Sequence, residues 1–212
     1  NGSYCIIQNC LGNIILTNSG LTIMSPDIHI KTDKNITLIC GFKYPASLEA
    51  PHIECFAPNL MNLTSCDIKT PLLKVYGYGH FNQVSDLKKL YAFGGSLKIP
   101  YLDRNLEVLN LDSMTLRTEK CEDRISADKI NFNDVTIAPQ DDDRNFVKHL
   151  KGDIVTIRKM SDYFLENTDV SARRLYLHTD KKSPSIRLED IEKQNLKSIQ
   201  DRINGNINYM KP

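Results

Sequence analysis

Apolar residues recur along this chain in a fixed frame: one apolar residue, two others, a second apolar residue, one other and a third. The frame is clearest over residues 106–116 and 127–137, and looser versions occupy residues 11–21, 50–60 and 87–97. Alternate apolar residues face the interior from a short β-strand. A repeated one-strand unit cannot bury its own core, so such units stack. The frame therefore predicts a β-rich solenoid, with a β sandwich or an α+β domain as the alternative.

The middle apolar residue of each frame marks one predicted turn. The markers are Ile14, Ile36, Ile53, Val75, Leu90, Leu109, Ile130, Val155 and Leu175. Successive markers lie 22, 17, 22, 15, 19, 21, 25 and 20 residues apart. The two shortest spacings fall below the roughly 20 residues of a common strand repeat. We interpret them as a sign that at least one marker is misplaced.

The chain resembles degenerate extracellular leucine-rich-repeat proteins over about residues 11–180. The resemblance rests on the stretches Leu11–Leu21, Leu87–Leu97, Leu106–Leu116 and Ala127–Ile137. It implies a leucine-rich-repeat-like or β-helical body whose exposed sheet binds proteins. The asparagine that this family places ninth in the frame, where it bonds backbone amides along the coil, is replaced here by Ser19, Gly95, Met114 and Val135. A receptor L-domain-like β-solenoid therefore also stays open.

The end of the chain follows a helical period instead of the frame. From Leu188 onward, apolar residues lie largely on one helical face, so residues 185–212 are predicted to form a capping α-helix and a tail. Ser185 is the expected N-cap and Gly205 the expected stop. A cap on the last coil is favoured over a partner-binding helix because no heptads continue. Residues 146–150 are predicted to form a short helical turn.

Cysteines and glycosylation sequons favour an extracellular protein over a cytosolic one with buried thiols. Residues 1–10 are predicted to form a cysteine-containing N-terminal cap ahead of a solenoid domain at residues 11–184. The sequons begin at Asn1, Asn35 and Asn62. The even count of cysteines predicts disulfides, and the cysteines are Cys5, Cys10, Cys40, Cys55, Cys66 and Cys121.

Composition and motifs exclude several other classes. Lys plus Arg number 27 and Asp plus Glu number 26, which does not suit a nucleic-acid binder. No apolar run approaches the ~20 residues of a transmembrane helix. The chain begins at Asn1, which we interpret as processing that removed a signal peptide, and a membrane anchor lost in the same way stays open. No GxSxG, HExxH, Walker or GxGxxG motif occurs, so no enzyme activity, cofactor or metal is expected.

The outward residues of the predicted sheet form the candidate binding site. Stacked strands lie ~4.8 Å apart, so residues at the same place in successive turns form columns. The columns mix basic and aromatic residues, which protein interfaces favour. The candidate ligand-binding residues are Lys74, Lys89 and Arg174 before the marker, Tyr76, Tyr91, Asn110, Asn131 and Tyr176 after it, and Phe93 and His178 in the next column.

The function that this pattern predicts is recognition. We expect a secreted or cell-surface, non-enzymatic protein that binds a protein ligand through the exposed sheet, with its oligomeric state left open. One alternative is a structural ectodomain of a pathogen or receptor surface glycoprotein. The other is a carbohydrate-active β-helix enzyme, which a column of outward carboxylates would favour.

Overall fold

The chain folds into a parallel β-solenoid of about six turns with a short C-terminal helix. The computed structural model describes residues 5–8, 14–16, 22–23, 28–39, 41–42, 46–57, 66–102, 106–118, 124–139, 147–178 and 186–209. The solenoid prediction is therefore confirmed over the sandwich alternative. The predicted disulfide positions Cys10, Cys40 and Cys121, and the sequons at Asn1 and Asn62, lie outside the described residues.

Strands make up most of the described residues, and short connections separate them. The strands are β1 (Cys5–Gln8), β2 (Ile14–Leu16), β3 (Thr22–Ile23), β4 (Ile28–Lys31), β5 (Ile36–Leu38), β6 (Gly41–Phe42), β7 (Ala46–Glu49), β8 (Ile53–Ala57), β9 (Cys66–Lys69), β10 (Leu72–Ser85), β11 (Lys89–Ile99), β12 (Leu106–Thr118), β13 (Arg124–Pro139), β14 (His149–Arg158), β15 (Asp169–Leu177) and β16 (Ile186–Asn195). The helices are α1 (Asp162–Asn167) and α2 (Leu196–Tyr209).

Two parallel walls enclose the core. The front wall consists of β2, β5, β8, the first halves of β10 to β13, and then β14 and β15. The back wall consists of β1, β4, β7, β9 and the second halves of β10 to β13. Each complete turn therefore contributes a parallel strand to both walls, which a leucine-rich repeat with a helix on its outer side does not.

The register of the front wall corrects one predicted marker. Ile53 pairs with Leu73, and Leu73 pairs with Leu90, so Leu73 occupies the place assigned to Val75. The spacings around it become 20 and 17 residues, and the spacing of 15 disappears. The other markers stand in register from Ile14 to Leu175, and all of them are buried.

A left-handed residue bends the chain from the front wall to the back wall. Gly94, Ser113 and Asp134 follow in-register residues of successive strands, and their φ angles are +61°, +52° and +55°. Lys159, with a φ of +48°, stands at the same place but follows the end of β14. One residue in this conformation changes the chain direction without ending the ladder, as a β-bulge does. Long strands such as β12 can therefore serve both walls.

The residues just after this bend occupy the place where the leucine-rich-repeat resemblance leads one to expect an asparagine. Gly95, Met114 and Val135 pair in one row, and the side chains of Met114 and Val135 are buried in the apolar interior. An asparagine there would need amide partners that this interior does not offer. The coil is held by backbone ladders and apolar packing instead of an internal asparagine ladder.

The disulfide prediction is wrong for Cys55 and Cys66, whose side chains the structure describes. Both are thiols, and both are fully buried. They lie on the front and back strands of the same turn. Burial first, and then the neighbouring Cys55, raises the pKa of the Cys66 thiol well above its ordinary value. A protonated, buried thiol packs as a small apolar residue, which is its role here.

The C-terminal helix begins later than predicted, because residues Ile186–Asn195 form strand β16, antiparallel to β15. Leu188 pairs with Leu175 and Ile191 with Ala172, although in a regular strand residues three apart face opposite sides. Asp190, with a φ of +52°, resets the alternation between them. The apolar spacing of three that imitates a helix thus comes from an irregular strand.

Helix α2 then covers the end of the coil. Asn195 caps it, since its Oδ1 accepts a hydrogen bond from Ser198 N at 3.1 Å. Leu196 and Ile199 are buried, and the helix continues past the expected stop at Gly205 to Tyr209. Helix α1 packs against it, with Lys197 Nζ 3.7 Å from Asp162 Oδ1. The predicted helical turn at residues 146–150 is wrong, since β14 begins at His149.

Candidate functional site: the outward face of the front wall

The predicted binding residues lie on the outward face of the front wall, where each alternates with a buried neighbour. All of them are half-buried: Lys74, Tyr76, Lys89, Tyr91, Phe93, Asn110, Asn131, Arg174, Tyr176 and His178. The corrected register changes two columns. Lys74 pairs with Tyr91, and Tyr76 pairs with Phe93, so both lie one column further along than predicted.

An aromatic ladder occupies the N-terminal half of this face. The ring centroids of Phe56 and Tyr76 are 4.8 Å apart with planes at 3°, and those of Tyr76 and Phe93 are 5.1 Å apart with planes at 17°. The strand separation of ~4.8 Å sets this stacking. Burial first, and then the nearby Glu54 carboxylate, raises the pKa of Tyr76, so its hydroxyl remains protonated and able to donate.

An exposed aliphatic residue extends the ladder. Phe56 is 36% exposed, and Ile39, one position beyond the Leu38–Cys55 pair, is 41% exposed. Ile15, on β2, is 63% exposed but lies in the neighbouring column, in register with Thr37 and Glu54. We call Ile39, Phe56, Tyr76 and Phe93 the apolar stripe. Sequence reasoning missed its first two members, although Phe56 could have been found by counting three residues from the marker Ile53.

Paired polar side chains occupy the middle of the face. Asn131 Nδ2 donates to Asn110 Oδ1 at 2.6 Å, and Asn133 Nδ2 donates to Asp112 Oδ1 at 2.7 Å. These groups bond each other across adjacent turns, whereas the buried Asn133 Oδ1 has no hydrogen-bond partner. The asparagine ladders of this protein are therefore on the outside of the coil.

Charges on the same face are also mostly paired. Lys74 Nζ is 4.0 Å from Glu54 Oε1, and Lys89 Nζ is 3.2 Å from Glu107 Oε2. Near the C-terminal end, Arg158 Nε donates to His178 Nε2 at 3.0 Å. Burial first, and then Arg158, lowers the pKa of His178, which keeps the ring neutral and its nitrogen an acceptor.

A row of carboxylates runs beside these columns, and the sequence analysis did not recognise it. Glu107, Asp128 and Asp153 occupy the same place on β12, β13 and β14, one residue after the first apolar position of the frame. Asp128 and Asp153 line an open groove of about 500 Å³ together with Lys151 and Arg173. Only the three-dimensional register reveals the row, because its members are 21 and 25 residues apart.

Asp153, in this row, forms ion pairs with two arginines. Arg173 Nη2 donates to Asp153 Oδ2 at 2.8 Å and Arg173 Nε donates to Oδ1, while Arg174 Nη2 lies 3.8 Å from Oδ2. The Arg173 hydrogen bond lowers the pKa of Asp153. Asp153 is therefore ionised and neutralised by its partners. Within the described residues, no group of three His, Cys, Asp or Glu side chains is arranged to hold a metal ion.

The comparisons with known proteins add no relative to this picture. A scan against family models, a search of curated proteins and a search of solved structures each find no match to the chain. Among the described residues, no helix has the length and apolar character needed to cross a bilayer.

Proposed function

We propose that this chain is a non-enzymatic recognition protein that binds a protein ligand through the apolar stripe of the front wall. The observation that carries the proposal is the exposed pair Ile39 and Phe56, continued by stacked Tyr76 and Phe93. Aromatic residues surrounded by polar groups are the usual energetic centres of protein interfaces. The paired amides and ion pairs next to the stripe form its polar margin.

The stacking of the rings favours a protein over a sugar as the ligand. Both faces of Tyr76 are covered by the rings of Phe56 and Phe93. Sugars bind best on an uncovered aromatic face, whereas ring edges and aliphatic side chains suit the apolar side chains of a protein. The stripe therefore offers a continuous apolar contact of low conformational freedom.

The location that fits this role is the extracellular side. Asn35, in the sequon Asn35-Ile36-Thr37, is exposed in the turn before β5, where a glycan has room. Cys55 and Cys66 form no disulfide, so they do not support an extracellular location. The sequons support this part of the proposal instead. A relationship to leucine-rich-repeat proteins is part of this proposal alone, and the second parallel wall argues against it.

Substitutions in the stripe test the binding proposal. The chain is screened as a multimer against an array of secreted proteins and cell-surface ectodomains, and bound partners are measured again with Phe56→Ala and Tyr76→Ala. If either side chain is an energetic centre of the interface, its removal costs about 2 kcal/mol of binding free energy. The affinity is then expected to be about 30-fold weaker. Tyr101→Ala is the matched control, because Tyr101 is 40% exposed but follows the back-wall half of β11.

The screen also separates this proposal from the structural-ectodomain alternative. Unchanged affinity in both stripe variants, or an equal loss with Tyr101→Ala, contradicts the stripe as the binding site. An array without any specific partner supports a structural surface protein instead.

Carbohydrate hydrolysis is the second candidate function, and the carboxylate row favours it. Carboxylates on adjacent turns are separated by about the strand spacing of ~4.8 Å, near the ~5–5.5 Å of a retaining glycosidase pair. Asp128 is exposed and adjoins the groove, whereas Asp153 is already paired with Arg173.

A reducing-end assay on a panel of polysaccharides tests this candidate. If the row is catalytic, the wild-type chain releases reducing ends and Asp128→Asn lowers the rate by at least about 100-fold. Asp134→Asn, an exposed aspartate at the bend of β13, is the control and is expected to keep the activity. No release by the wild-type chain on any polysaccharide of the panel counts against hydrolysis.

A further inference from the structure

The open groove beside the carboxylate row contains one carboxylate and one ammonium group that have no partner. The groove is lined by residues of β12 to β15, among them Ser126, Asp128, Lys151 and Gly152. The side chains of Asp128 and Lys151 are exposed, and within the described part of the chain neither forms an ion pair or a hydrogen bond. Two opposite charges therefore face one groove without neutralising each other.

The other charges at the groove are already paired. Arg173 donates two hydrogen bonds to the Asp153 carboxylate, and Arg174 Nη2 lies 3.8 Å from the same group. Asp153 is therefore occupied by partners within the chain. Asp128 and Lys151 remain as the carboxylate and the ammonium group that the groove offers to a ligand.

No side chain stands between these two groups. The positions between Lys151 and Asp128 on the two strands belong to Gly152, which has no side chain, and to Ala127, whose side chain is buried. A Cβ atom at Gly152 would lie 2.7 Å from Ala127 O, so the two strands pack backbone against backbone here. The floor of the groove is therefore flat and leaves room for a small molecule above it.

The register sets the distance across this floor. Lys151 pairs with Ser126, and Asp128 lies two residues further along β13. At ~3.3 Å per residue and ~4.8 Å between strands, the Cα atoms of Lys151 and Asp128 are about 8 Å apart. A free amino acid with one hydrogen bond at its ammonium group and one at its carboxylate spans about 8–9 Å between its two partners.

We propose that this groove binds a small zwitterion, a molecule such as a free amino acid that carries an ammonium group and a carboxylate on one carbon atom. Lys151 Nζ donates to the carboxylate, and the neighbouring Ser126 hydroxyl donates a second hydrogen bond to it. The Asp128 carboxylate accepts from the ammonium group. The site is separate from the apolar stripe, so the proposal does not depend on protein binding there.

The two opposite charges select against ligands with one charge. A simple anion that binds Lys151 is repelled by Asp128, and a simple cation that binds Asp128 is repelled by Lys151. A zwitterion meets an attractive charge at each end. We therefore expect a free amino acid to bind at least about tenfold more tightly than an analogue with one of its charges removed.

Titration of the isotope-labelled chain with L-alanine, followed through the backbone amide signals in NMR spectra, tests the site. Millimolar L-alanine is expected to shift the amide signals of residues 126–128 and 151–153 in a saturable way. The amide signals of the apolar stripe are expected to stay in place. N-acetyl-L-alanine, which keeps only the carboxylate, and L-alaninamide, which keeps only the ammonium group, are expected to bind at least about tenfold more weakly.

Two variants assign the ends of the ligand. Asp128→Asn and Lys151→Gln are each expected to weaken L-alanine binding at least about tenfold. Asp128→Asn is expected to bind N-acetyl-L-alanine no more weakly than the wild-type chain does, because it loses only the partner of the ammonium group. Lys151→Gln is expected to keep the affinity for L-alaninamide in the same way. A general loss of structure would instead weaken both analogues.

Lys88→Gln and Asp134→Asn are the matched controls, since both residues are exposed and lie outside the groove. Both variants are expected to bind L-alanine as the wild-type chain does. The proposal is overturned if L-alanine shifts no amide signal of the groove, if either analogue binds as tightly as L-alanine, or if the two groove variants keep the wild-type affinity. A groove that responds to maltotriose and not to L-alanine supports the hydrolysis candidate instead.

Discussion

A Gly95→Ala variant is expected to lose about 3 kcal/mol of stability, measured as the free energy of unfolding in urea. Gly95 has a φ of +105°, a conformation that residues with a side chain rarely adopt. A Cβ atom there would lie 2.7 Å from the Gly77 carbonyl carbon and closer still to its oxygen. Because Gly95 pairs with Gly77 in the ladder, relief of this clash requires two turns to separate.

Gly94→Ala is the matched control for this substitution. Gly94 has a φ of +61°, but a Cβ atom there would meet nothing within 4 Å. Ser113 and Asp134 carry side chains at the same bend in the next two turns. The expected cost is therefore only about 1 kcal/mol, from backbone strain alone. Equal losses in the two variants would contradict the close contact between Gly95 and Gly77.

Phe132→Ala is expected to cost about 3–5 kcal/mol in the same measurement. Phe132 is fully buried in β13, and its ring centroid lies 6.3 Å from that of Phe164 in α1, with the planes at 72°. Removal of the ring leaves a cavity between the coil and α1, which the strand ladders on both sides prevent from closing. Phe132→Leu keeps most of the volume and should lose clearly less.

The control for Phe132→Ala is a residue on the same strand whose side chain faces outward. Asn131→Ala, next to Phe132 but outward, removes one hydrogen bond to Asn110 and is expected to cost about 1 kcal/mol. If Asn131→Ala destabilises the chain as much as Phe132→Ala, the inward position of Phe132 is wrong.

The solenoid class could be predicted because every front strand presents two inward apolar residues. Because each strand has two such residues, the register could not be predicted everywhere. Leu73 and Val75 are both fully buried, so the sequence offers two equivalent markers two residues apart. Only the backbone pairing of Leu73 with Ile53 decides between them.

The candidate site was predictable where it follows strict alternation and missed where the chain bends. Tyr91 and Tyr176 alternate with buried neighbours, so their outward position could be predicted from the sequence. The carboxylates Asp128 and Asp153 follow the apolar residue at the bend into the strand, and their proximity depends on turns of unequal length. The sequence predicts a helix where β16 lies, because the left-handed conformation of Asp190 interrupts the alternation of a regular strand.

The reversed direction of β16 has a consequence for assembly. A stack of parallel strands offers, at its last turn, a template on which an identical chain could continue the stack without limit. Strand β16 runs the opposite way, carries Glu189, Glu192 and Lys193, and is bent by left-handed residues at Asp190 and Lys193. This end of the solenoid therefore offers an identical chain no parallel strand on which to continue the stack.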